Sequence, residues 1–84
     1  MRQGKRGLFF MTLDEIKVGE TAKILKVNGQ GALRKRLLDM GLTPKTLVTL
    51  QKLAPMGDPL EFTLRGYELT LRKADCAMVE VERL

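Results

Sequence analysis

The period of the apolar positions changes several times along the chain, and each change predicts an element. Thr12 to Glu15 reads T-x-x-E, in which a hydroxyl and a carboxylate cap the opening amides of a short helical turn, and Val18-Gly19 ends it. Thr21 to Val27 (TAKILKV) mixes β-branched and apolar residues with lysines. That pattern predicts a half-buried strand, broken by Asn28-Gly29-Gln30-Gly31. From Ala32 the spacing turns helical, with Leu33, Leu37 and Met40 within about 60° of one another on a 100° projection. The spacing predicts a helix over residues 31–41, stopped by a left-handed Gly41 and followed by Leu42 and Pro44, which cannot continue it. Strand character resumes over Leu47 to Leu53. Pro55-Met56-Gly57-Asp58-Pro59 is a loop by composition, because two prolines remove amide donors and glycine admits positive φ. Phe62 and Leu64 then alternate with polar neighbours over Glu61 to Leu64, Arg65-Gly66 turns the chain, and Leu69 with Leu71 forms the return. Arg72 to Ala77 reads as a connector, and Val79 and Val81 alternate with Glu80 and Glu82 as a closing strand.

Five short strands, with one short α-helix inserted between the first and second, predict an all-β fold. Closing such strands into a small barrel removes the edges that an open sheet would present, and an SH3-like barrel fits best.

Composition narrows what such a barrel could do. With 84 residues, 44% apolar and 30% charged, one soluble domain with a single core is expected. There is no His, so the side chain most used for acid-base work and transition-metal binding near neutral pH is lacking. Cys76 is the only cysteine, which leaves no internal disulfide and no cysteine-pair metal site. Without a His to activate it, Cys76 reads as a small buried residue. An enzyme lacks residues to carry it.

The formal charge is +5, from 15 basic and 10 acidic side chains. Arg2, Lys5 and Arg6 lie in a first decade without acids, so the remainder carries 12 − 10 = +2. The following run, Leu8 to Met11, is too short for a secretory core, and Asp14 and Glu15 follow it directly, so a cytoplasmic protein is expected. Phe9 and Phe10 are read as added packing, with docking on another subunit, or an overextended start ahead of Met11, as the alternatives.

The carboxylates are a helix-opening pair (Asp14, Glu15), a strand-face pair (Glu80, Glu82) or isolated in sequence, so neither metal nor cofactor is expected. Gly29-Gln30-Gly31 lacks the further residues of a dinucleotide fingerprint or a Walker loop and reads as a flexible connection. Too few aromatics are present for a proline-peptide groove or a base-stacking platform. Arg34-Lys35-Arg36 could meet phosphates, or simply be a solvated helix face.

Three stretches together resemble the FeoA family over about residues 11 to 84: RKRLLDMGLTP (Arg34 to Pro44), APMGDP (Ala54 to Pro59) and LRGYELTLRKADCAMVEV (Leu64 to Val81). On that reading residues 1–10 are a basic, apolar extension and 11–84 the barrel domain. The resemblance implies a non-catalytic protein of ferrous iron transport that binds and regulates FeoB, a membrane ferrous-iron transporter with a GTPase domain. Such a protein would be cytoplasmic and would reach the inner membrane only through that partner. No specific nucleic acid is expected, and self-association stays open. The same barrel occurs as the C-terminal domain of iron-dependent repressors, so a nucleic-acid-binding or transcription-regulating barrel is the alternative.

The partner-facing surface is expected on Arg34, Lys35 and Leu38 of the helix and on Met56, Gly57 and Asp58 of the loop. Leu38 falls off the buried stripe, framed by Arg34 and Lys35, and is either wrapped by the barrel or offered with Lys35 to the partner. Lys45 departs from the family pattern, which more often has Gly there. A left-handed Lys45 would be strained, so a type I turn is expected.

Overall fold

The structure is a computed structural model that describes residues 10–84. Six strands form one antiparallel sheet: β1 (Phe10–Thr12), β2 (Thr21–Val27), β3 (Leu47–Leu53), β4 (Leu60–Leu64), β5 (Tyr67–Leu71) and β6 (Val79–Arg83). Their spatial order is β1-β6-β2-β3-β4-β5. Two helices accompany them, α1 (Gly31–Asp39) and the four-residue α2 (Lys73–Cys76), and a 3₁₀ turn spans Leu13–Glu15.

The alternation read from sequence sets which face of each strand is inward. Ala22, Ile24 and Val27 of β2, Val48 and Leu50 of β3, Leu60, Phe62 and Leu64 of β4, and Val79 and Val81 of β6 are all buried in one cluster. A flat sheet under one small helix could not cover all of them, so the sheet curls around its own inner face. Two register shifts help it bend, one between Ile24 and Lys26 and one between Leu50 and Lys52; an extra residue on one strand of a pair increases local twist and bends that strand. Leu13, Ile16, Leu37, Leu42 and Cys76 close the core from the turns and helices.

The helix lies after β2, not after the first strand as expected. The strand ahead of β2 is β1, whose three residues are too few to show a period. It is made a strand by pairing with β6, Phe10 opposite Glu82 and Met11 opposite Val81. Phe10 therefore stands in the sheet, while the rest of the reading of residues 1–10, including Phe9, lies outside the described residues. The T-x-x-E signal marks the 3₁₀ turn, where Glu15 Oε1 accepts the Thr12 N–H at 2.8 Å and the Thr12 hydroxyl donates to Asp14.

The turn after α1 also differs from expectation. The Thr46 N–H donates to the Thr43 carbonyl at 3.1 Å and Lys45 has φ +76°, which is type II geometry with a non-glycine residue at its left-handed position. The conformation is fixed from outside the turn. Lys45 N–H donates to the Ile24 carbonyl at 2.6 Å, and Ile24 N–H donates to the Thr46 carbonyl at 2.9 Å.

Candidate partner-binding surface

Helix α1 is seated by its C-terminal end. Gly41, at φ +104°, follows the C-cap Met40. Gly41 N–H donates to the Leu38 carbonyl at 3.0 Å and Leu42 N–H to the Leu37 carbonyl at 3.2 Å. This paired closure of the last turn brings Leu42 over Leu37, and both are fully buried. Leu33, Leu38 and Met40 pack partly buried against the core. Leu38 is thus half-buried, in the same state as Leu33 and Met40.

The basic residues of α1 are each used differently. Arg34 Nε donates to the Val27 carbonyl at 3.1 Å and ties the helix to the end of β2. Lys35 is exposed and pairs with Asp39 at 3.1 Å, one turn on. Arg36 reaches across to Asp75 of α2 at 3.4 Å.

The loop residues divide in the same way. Met56 is 91% exposed. Gly57, at φ +85°, donates its N–H to the Ala54 carbonyl at 2.7 Å. Asp58 precedes a cis bond to Pro59, and its Oδ1 accepts the Lys73 N–H at 2.9 Å, supplying an acceptor to the first turn of α2 from fifteen residues away.

Arg34, Lys35 and Leu38 are not gathered with Met56, Gly57 and Asp58 into one pocket. What lies between the two regions is a groove of about 280 Å³ lined by Arg36, Met40, Pro59, Thr70, Leu71, Arg72 and Asp75. It draws on both neighbourhoods that the sequence singled out, but through other members: Arg36 of α1 with its C-cap Met40, and Pro59 of the loop. Thr70 to Arg72 and Asp75 were missed because their only sequence signal is a strand end and a connector, and the groove forms from parts far apart in the chain.

Cys76 sits beneath this region, fully buried. Burial, followed by the nearby carboxylates of Asp14, Asp75 and Asp58, pushes its thiol up to about 12, so the sulfur keeps its proton near neutral pH. Among the described residues no group of three or more His, Cys, Asp or Glu side chains is placed to hold a metal ion, and no helix is long and apolar enough to cross a membrane.

A curled antiparallel sheet with a docked helix is the outline of a small SH3-like domain. The comparisons agree. A family model described as the FeoA domain matches residues 11–83. The chain is 39% identical over 72 residues to an Fe(2+) transport protein A/Fe(2+) transporter FeoB fusion protein of Porphyromonas gingivalis; that match covers 86% of this chain and 8% of the fusion, so the chain spans only a small part of that relative. The solution structure of a FeoA-like protein from Clostridium acetobutylicum superposes with a TM-score of 0.84 at 33% identity, over 90% of this chain and 88% of that one. A Stenotrophomonas maltophilia FeoA, described as a procaryotic SH3 domain protein and solved with zinc, superposes with a TM-score of 0.76 at 25% identity, over 86% and 89% of the two chains. The chain belongs to the FeoA family, whose proteins are small SH3-like domains associated with ferrous iron transport.

Proposed function

We propose that this protein is a non-catalytic accessory of ferrous iron transport that binds a FeoB-type transporter and regulates it by protein–protein contact. The observation that carries this reading is the fusion: in Porphyromonas gingivalis a segment 39% identical to this chain is joined to FeoB in one polypeptide. Covalent joining keeps two domains at high effective concentration, an arrangement useful to domains that act on each other. The protein would then be found on the cytoplasmic side of the membrane, held there by its partner.

The contact surface we assign is the exposed side of α1 around Arg34, Lys35 and Leu38, extended by the loop Met56, Gly57 and Asp58. Lys35 and Met56 are its accessible members, one a charge that aids approach and the other an apolar contact. Arg34 and Asp58 hold their elements in place through the Val27 carbonyl and the Lys73 amide.

A pull-down from detergent extract with this protein as bait tests the reading. FeoB should be recovered, and Lys35→Glu should lower recovery several-fold with the urea midpoint nearly unchanged, since the exposed pair with Asp39 that it breaks contributes little. Leu38→Ser should lower both, since Leu38 also packs on the core. Failure to recover FeoB, or wild-type recovery with Lys35→Glu and Met56→Ser combined, would count against the function or the assigned surface respectively.

A further inference from the structure

We propose that the outer edge of β5 and the groove beside it form a strand-addition site for an extended acidic segment of the partner transporter. The identity of the partner rests on the reading above; the site itself is argued from this chain.

The backbone supplies the first argument. The hairpin β4–β5 is closed by Arg65-Gly66, both with positive φ, the signature of a two-residue type I′ turn. In such a hairpin the closing pair, Leu64 and Tyr67, exchanges hydrogen bonds, and pairs alternate from there. Phe62 with Leu69 and Leu60 with Leu71 are then bonded, whereas Glu68 and Thr70 face Thr63 and Glu61 in non-bonded pairs. The N–H and C=O of Glu68 and Thr70 consequently point away from β4. Neither has a backbone partner among the described residues, and both residues are exposed.

The edge keeps few of the usual defences. Natural edges are blunted by short length, charged side chains, proline, a bulge or a covering element, and β5 has of these one charge, Glu68. The opposite end of the sheet follows that rule, since β1 has three residues. In contrast β5 has five residues, no proline and an unbroken register with β4.

The C-terminal end of α1 reaches the hairpin and forms the far wall of the groove, leaving the edge itself uncovered by any paired strand. Tyr67 Oη donates to the Met40 carbonyl at 2.7 Å at one end, and Arg36 meets Asp75 at 3.4 Å at the other. Between them lies the groove, with Met40, Pro59 and Leu71 as its apolar surface. Its charges are unequal: two guanidiniums, Arg36 and Arg72, face the single carboxylate of Asp75. Arg72 forms no ion pair among the described residues. A carboxylate brought in by an added strand would pair with Arg72 and share Arg36 with Asp75, and a planar guanidinium suits that geometry.

Charge and topology exclude the occupants nearest to hand. The chain's own first nine residues carry Arg2, Lys5 and Arg6 and no acid. The acidic strand of a second copy, β6 with Glu80 and Glu82, is already paired on both sides, with β1 and β2; its β5 is open, but would bring a second Arg72 to the two guanidiniums of this groove. An acidic segment of another protein remains, adding to β5 through main-chain bonds while one side chain enters the groove.

Hydrogen exchange of β5 in the complex with the detergent-solubilised transporter tests this. The amides of Glu68 and Thr70 should gain at least tenfold protection. Arg72→Gln should weaken binding about tenfold, as expected for losing one charged hydrogen bond. Thr70→Pro removes an outward N–H without touching the β4 ladder and should abolish the protection; if that variant does not fold, Arg72→Gln with Arg36→Gln serves instead. Capture of the transporter with Glu68 and Thr70 unprotected and Arg72→Gln binding unchanged would overturn this site and leave the proposed function standing. If no transporter is captured, that function falls, and an array of extended six-residue peptides each with one Asp or Glu decides the site alone. Absence of protection by any of them, or equal protection by an unlabelled second copy of this protein, would overturn it.

Discussion

Gly41 carries two requirements at one position. Its φ of +104° suits a residue without a Cβ, and a Cβ built there would lie 2.3 Å from the hydroxyl of Tyr67. That hydroxyl is held at the site by its bond to the Met40 carbonyl, so helix end and hairpin meet over the glycine. Gly41→Ala should cost about 1–2 kcal/mol in left-handed strain alone, with the displacement of Tyr67 added. Tyr67→Phe removes the clashing oxygen and by itself should cost about 0.5–1.5 kcal/mol. In a double-mutant cycle followed by urea denaturation, the two together should cost less than their sum by about 1 kcal/mol. Strict additivity would mean that Tyr67 is not what Gly41 makes room for. The first requirement was legible in sequence, because a helix stop depends on its immediate neighbours. The second was not, since Tyr67 approaches from 27 residues beyond Met40.

At the scale of elements the same division holds. β2 and β3 run over Thr21–Val27 and Leu47–Leu53, the bounds given by their apolar pattern, because seven residues are enough to show a period. β1 and α2 are too short to show one, and each exists through a partner, β1 through β6 and α2 through the Asp58 carboxylate. The groove was illegible for the same reason: its walls are two elements whose adjacency is set by Tyr67 and Arg36, not by local pattern. The turn joining α1 to β3 shows tertiary bonds overriding local preference. Thr46 Oγ1 accepts from Arg65 at 2.9 Å and pairs with Thr43 Oγ1 at 2.9 Å, while the Lys45 amide is fixed on Ile24. These contacts hold Lys45 left-handed at a cost of about 1–2 kcal/mol. Lys45→Gly relieves that strain and adds about 0.5–1 kcal/mol of unfolded-chain entropy. The net expectation is a gain of roughly 0.5–1 kcal/mol, read as a higher urea midpoint. A lower midpoint would show that the lysine side chain contributes more than its backbone strain removes.

For the molecule as a whole, Cys76 links the packing of three separate segments to pH. The 3₁₀ turn brings Asp14, the β3–β4 loop brings Asp58 and α2 brings Asp75 around a thiol that is itself fully buried, and together with burial they raise it from 9.0 to about 12. Between these two values the unfolded chain has lost the thiol proton and the folded chain still holds it. Unfolding therefore releases a proton, and stability falls as pH rises through this window, by at most about 1.4 kcal/mol per pH unit from this group. Below about pH 9 both states hold the proton and the dependence vanishes. Lysines titrate in the same range, so the comparison that isolates Cys76 is with Cys76→Ala. The variant should be less stable at pH 7.5, because it leaves a small cavity. Its deficit should shrink steadily at pH 9.5 and 10.5, because only the wild type has to bury a thiol that the unfolded chain ionises. In the same experiments a disulfide reagent should react with the native protein only as fast as it unfolds. A deficit independent of pH, or rapid thiol labelling in the absence of urea at pH 8, would show that the three carboxylates and the core do not hold the thiol protonated.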